Sequence, residues 1–165
     1  MWARSFLLAI ASLLAGVGAA SVPGPATVSV QRGSALFNGR EALSGRIRGH
    51  DEPLPPEVVR CVNCHGAAAR GSTRISRAVA PHLDRAFLLE FQQRRGGPPS
   101  RYDQAAFCTL LRSGVDPAQV LIAREMPTYD MDEAQCSSLW SFLMRNEGAG
   151  KQSTGNGDAN AQEKR

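Results

Sequence analysis

Cys61-Val62-Asn63-Cys64-His65 is the stretch on which the reading of this chain turns. C-x-x-C-H is the attachment signature of a covalently bound c-type haem. Two thiols three positions apart on one helical turn can each add to a vinyl group of the porphyrin, and the adjacent imidazole then falls beneath the ring as an iron ligand. A zinc site would need a second ligand pair at matching spacing, and a thioredoxin-like redox pair would need a βαβ setting; the sequence offers neither. The pentapeptide predicts one haem c, held through Cys61 and Cys64, with His65 as the proximal ligand to its iron.

Moving outward, the amino terminus carries Arg4, then an apolar run over 5–20 that ends in the small residues Gly18-Ala19-Ala20. This pattern reads as a secretory leader over 1–20. An uncleaved anchor is the alternative, but the run is shorter than the roughly 20 residues that span a bilayer. No later segment is apolar enough to span one, so no membrane span is expected after cleavage. At the other end, 148–165 is Gly, Asn, Gln and charge without apolar periodicity and reads as a disordered tail. The stretch 31–147 is left, enough for one small domain. An aromatic share of 6% and 10 prolines suit a loop-rich helical domain built on a cofactor better than a sheet sandwich. The formal charge of +4 is mild and scattered, and gives no argument for nucleic acid.

Periodicity and caps place the helices. Ala35, Leu36 and Phe37 in a polar frame predict an amino-terminal helix around 31–43. Asp84 caps a short amphipathic helix bearing Phe87, Leu88 and Phe91, which ends in the basic, proline-stiffened Arg94-Arg95-Gly96-Gly97-Pro98-Pro99. Ser100 with Asp103 forms a capping-box signal before Phe107, Leu110 and Leu111, and Gly114 stops that helix. Asp116-Pro117 reads as the start of one more turn. Asp132 with Gln135 makes a second box, after which Cys136, Leu139, Trp140 and Leu143 recur at helical spacing. No strand-like alternation of convincing length occurs, and the fold expected is all-α.

The order of these features resembles the class I c-type cytochromes. The resemblance covers roughly 31–147: an amino-terminal helix, Cys61-x-x-Cys64-His65, Ala80-Pro81-His82-Leu83, Met126-Pro127 and a terminal amphipathic helix. It implies a small helical domain wrapped around the haem, with Met126 as second axial ligand to the iron. It also implies that the Pro81 carbonyl accepts the Nδ1 hydrogen of His65, and that the chain is exported to the periplasm, where bacterial c-type haem is attached. A thioether is a soft, neutral ligand that favours ferrous iron and closes it to substrates. The alternatives for the sixth position are Met131, Met144, and a bis-His arrangement through His50 or His82. Leu83, Phe37 and Trp140 are expected in the haem pocket or in helix packing. The chain departs from compact members in the stretch 38–60 between the first helix and the haem cysteines, which reads as an insertion.

Cys108 and Cys136 remain. They fall on two expected helices flanking the Met126 loop, and in an oxidising compartment a disulfide is the simple account, with buried free thiols or a Cys ligand as the other readings. The functional expectation is an electron carrier without catalytic residues, passing single electrons from a dehydrogenase donor to a cytochrome or oxidase acceptor. A subunit of a periplasmic dehydrogenase complex and a sensor or peroxidase-like protein with an open sixth position are the alternatives. Dihaem peroxidases need two C-x-x-C-H motifs, and this chain has one. Arg94-Arg95 could steer an acidic partner or be a solvated helix end. Arg112, Arg124 and Arg145 could pair with a haem propionate or face water.

Overall fold

The terminal helix α5, Glu133–Arg145, starts where its sequence places it. The Asp132 carboxylate accepts from the Gln135 N–H at 2.6 Å and the Gln135 side-chain oxygen accepts from the Asp132 N–H at 3.0 Å, so two donors orphaned at the helix start satisfy each other's residue. Cys136, Leu139 and Leu143 are fully buried. Trp140 is only partly so, stacked at a tilt on Phe107 with 5.5 Å between centroids. The structure, a computed structural model, describes residues 24–145 apart from 71–72 and 76–77. The expected leader at 1–20 and tail at 148–165 lie outside the described residues.

Against α5 packs α1, Pro25–Asn38. Proline at its first position supplies the helical φ and lacks an N–H that would go unpaired anyway. The helix begins and ends earlier than the expected 31–43 because Gly39, at φ 73, closes it: the Gly39 and Arg40 N–H groups turn back to the Leu36 and Ala35 carbonyls at 3.1 and 2.8 Å. Gly33 lets the two helices touch by backbone, since a Cβ there would meet the Ser138 carbonyl oxygen at 2.0 Å. Leu36 and Phe37 fall one turn on and are 1% exposed.

Three short helices complete the helical part: α2, Cys61–His65; α3, Arg85–Leu89; and α4, Gln104–Ser113. Asp84 caps α3 as expected, accepting from the Phe87 N–H at 2.7 Å. The cap of α4 is Asp103 itself, accepting from the Ala106 N–H at 2.8 Å, so the box expected from Ser100 is not formed. Ser100 lies instead in a hairpin of β4, Gln92–Gln93, and β5, Pro99–Ser100. Its turn has positive φ at both Arg95 and Gly96, with the Gly97 N–H on the Arg94 carbonyl at 2.8 Å, the twist that matches antiparallel strands. Beyond α4, Asp116 does not start a helical turn. Its carboxylate accepts from the Ala118 and Val120 N–H groups, both at 2.9 Å, and holds a loop. Cys108 of α4 and Cys136 of α5 are joined in a disulfide, with Cα atoms 5.8 Å apart.

The all-α expectation is therefore corrected. Besides the hairpin, β2, Arg74–Ile75, pairs with β3, Ala78–Val79, and β1, Ser44–Arg46, pairs antiparallel with β6, Thr128–Asp130. The described residues form a mixed fold of five helices and three two-stranded antiparallel ladders. Each strand is two or three residues long, too short to leave an alternating pattern, and β1 finds its partner far along the chain. That ladder places the stretch 38–60: Gly45 lies opposite Tyr129, and the Leu54 N–H bonds back to the Gly45 carbonyl at 2.7 Å.

Candidate functional site

Helices α2, α4 and α5, the 38–60 stretch and the loop before β6 enclose an apolar cavity of about 350 Å³. All six residues expected at the site, Cys61, Cys64, His65, Pro81, Leu83 and Met126, line it, together with Phe37. Trp140 does not; it packs on Phe107, itself a wall residue. Each position follows from local structure. The single turn of α2 brings Cys61, Cys64 and His65 onto adjacent positions, and Gly66 at φ 70 stops the helix right after the imidazole. Met126 and Pro127 come in a loop that ends where β6 locks onto β1.

The electrostatics fix the state of these groups. His65 is 5% exposed, and its Nδ1 lies 2.9 Å from the Pro81 carbonyl. A carbonyl only accepts, so Nδ1 carries the hydrogen and the Nε2 lone pair is left to act as a ligand. Burial lowers the basicity of His65, and the Pro81 carbonyl opposes this in part. Burial also pushes the Cys61 thiol up to about 11, partly countered by the Tyr129 hydroxyl, and raises Cys64 as well. Both cysteines are free thiols, protonated near neutral pH.

The chemistry of this donor set fits a c-type haem. Two thiols one turn apart, one imidazole with its outer nitrogen uncommitted and one thioether border a cavity whose walls are otherwise almost entirely apolar. A bare metal ion is a poorer fit: among the described residues no three His, Cys, Asp or Glu side chains converge on a point. No protein-family model, curated protein or solved structure matches the chain.

The other ligand candidates are placed elsewhere. His50 and His82 are exposed and off the cavity wall, His50 touching Arg124. Met131 is buried in the core immediately before the α5 cap, the staple position, and Met144 sits partly buried on α5. Arg94 is no steering residue. It is 5% exposed, with its guanidinium between the Phe87 and Tyr102 rings at 4.8 and 5.0 Å from their centroids and on the Phe87 carbonyl at 2.6 Å. Arg95 is the exposed one of the pair, at the cavity wall. Arg112 bonds Glu133 at 3.1 Å and the Met131 carbonyl at 3.2 Å, tying the end of α4 to the start of α5.

Sequence reasoning missed two aromatic wall residues, Tyr102 and Tyr129. Tyr129 is buried, donates to the Val59 carbonyl at 2.8 Å and stands against the Cys61 thiol. Its signal was slight: an aromatic three positions after Met126 in an otherwise polar run. The walls contributed by the stretch 38–60, among them Ile47, Leu54 and Val59, were equally out of reach of local pattern.

Proposed function

We propose that this protein is a periplasmic single-electron carrier with one covalent haem c, exchanging electrons with redox protein partners. The observation that carries the reading is the apolar cavity on which both thiols, the imidazole and the Met126 thioether meet, with the His65 Nδ1 hydrogen already given to Pro81. The Cys61 and Cys64 S–H groups would add across the two vinyl double bonds, leaving thioethers and expelling nothing. His65 Nε2 and the Met126 thioether sulfur would hold the haem iron. When bound, haem supplies a one-electron ferric/ferrous couple, whose potential Met ligation raises relative to two imidazoles. The protein's own part is to orient His65 through Pro81, exclude water with Phe37, Leu83 and the other apolar walls, and keep both ligands in place between the two redox states.

One further observation supports the setting. The buried Cys108–Cys136 disulfide is what an oxidising compartment allows. No acid, base or nucleophile beyond the ligand set is required, so the reading is of a carrier rather than an enzyme. The test is an optical spectrum of the exported protein, oxidised and reduced. The expected result is the weak red-edge ferric band of iron bound to thioether sulfur, and no change when carbon monoxide is added to the reduced form. A reduced form that takes up carbon monoxide at once would replace the carrier with an open-site sensor or enzyme.

A further inference from the structure

We propose that residues 44–59 are a strap that holds the Met126 segment, 122–129, against the cavity, with Arg48 as its positioning residue. The proposal rests on the reading of Met126 as an iron ligand and gives the inserted stretch its task. The strap grips the segment on both sides of Met126. Before it, the Arg48 Nη2 donates to the Ile122 carbonyl at 2.8 Å and His50 meets the Arg124 guanidinium. After it, β1 pairs with β6, and the Tyr129 hydroxyl donates to the Val59 carbonyl at 2.8 Å. Only three residues, Ala123, Arg124 and Glu125, lie between Ile122 and Met126, so fixing these points leaves the ligand loop little freedom.

The strap is built to admit this grip. Gly114, the left-handed residue that ends α4, leaves the space that Arg48 fills: a Cβ there would stand 2.1 Å from Arg48 Nη1. The guanidinium therefore sits at the carboxyl end of α4, where the helix dipole favours a cation. The Ile122 N–H is in turn held by the Gly114 carbonyl at 2.9 Å, so Arg48, Gly114 and Ile122 form one junction. At the other side Gly45 lets the strap lie close, since a Cβ would come within 3.1 Å of the Val59 side chain and 3.3 Å of the Tyr129 ring, tighter than ordinary contact.

The test compares the haem-loaded wild type with Arg48→Met, Arg48→Lys and His50→Ala by hydrogen exchange and by carbon monoxide binding to the reduced form. Loss of one charge-assisted hydrogen bond is expected to speed exchange across 122–129, and carbon monoxide uptake, about tenfold in Arg48→Met. Exchange in α1 and α5 should not change, and Arg48→Lys should recover most of the loss. His50→Ala removes an exposed contact without threatening the fold, and should give a smaller effect of the same sign. Unchanged exchange over 122–129, or equal acceleration throughout α1 and α5, would overturn the strap. A wild type without the sulfur band would instead overturn the Met126 ligand, and the exchange pattern alone would then decide whether the strap holds the segment.

Discussion

Met126 is half-buried on the cavity wall, and its replacement separates two roles that one spectrum would otherwise merge. Met126→Ala should keep the haem covalently bound, because Cys61, Cys64 and His65 sit on a different element, while the sulfur band disappears. A band that survives would move the ligand to another residue. A second residue-scale effect follows from Glu41, which takes the Arg32 guanidinium at 2.8 and 3.1 Å. The hydrogen bond to Arg32 lowers the Glu41 carboxyl below its ordinary value of 4.5, with burial opposing and Gln135 of α5 adding a further bond. A depressed carboxyl contributes stability that is fully present above its unfolded value and is lost as pH falls through the folded one. Denaturant midpoints should therefore be lower for Glu41→Gln than for wild type at pH 7, and the gap should close on acidification below about 4.5. Since about a third of each side chain is exposed to water, 37% for Arg32 and 33% for Glu41, the gap should be small and shrink with salt.

Among the elements, the crossing of α1 and α5 depends on Gly33. Gly33→Ala would force a methyl onto the Ser138 carbonyl, and a backbone atom cannot rotate away. The expected cost is about 1–3 kcal/mol, read as a lower thermal or urea midpoint. The disulfide between α4 and α5 closes a loop with a sequence separation of 28, and replacing both cysteines by serine should cost on the order of 3–4 kcal/mol. The helices were legible where a cap and a period coincide: Asp84, Gly114, and the Asp132 and Gln135 pair each stand at the boundary they signal. Ser100 misled because a residue able to cap was instead drawn into a hairpin whose turn, Arg95-Gly96, has an arginine where asparagine or glycine is usual. The pairing of β1 with β6 had no local trace, since three residues such as Ser44-Gly45-Arg46 carry no period. That six expected residues line one cavity was legible from the C-x-x-C-H motif for Cys61, Cys64 and His65 and from the resemblance for Pro81, Leu83 and Met126; the strap and Tyr129 were not, because their contacts exist only once distant segments meet.

For the whole molecule, the apolar cavity of about 350 Å³ takes the place of a continuous core, and its wall side chains have no protein partner on that side. Protein carrying Cys61→Ser and Cys64→Ser, purified free of haem, should therefore lose its cooperative melt, while a melt like that of the loaded wild type would mean the fold does not depend on a filled cavity. The covalent ring closed by Cys108 and Cys136 has a kinetic consequence as well. Met126 lies inside that ring, so under the proposed ligation a sulfur that lets go of the iron stays tethered at both ends of its loop. Recapture is then intramolecular, at an effective concentration of about millimolar or more. A dilute ligand from outside competes against that local concentration, and titrations with it would read as weak binding even where the bare iron would hold it firmly.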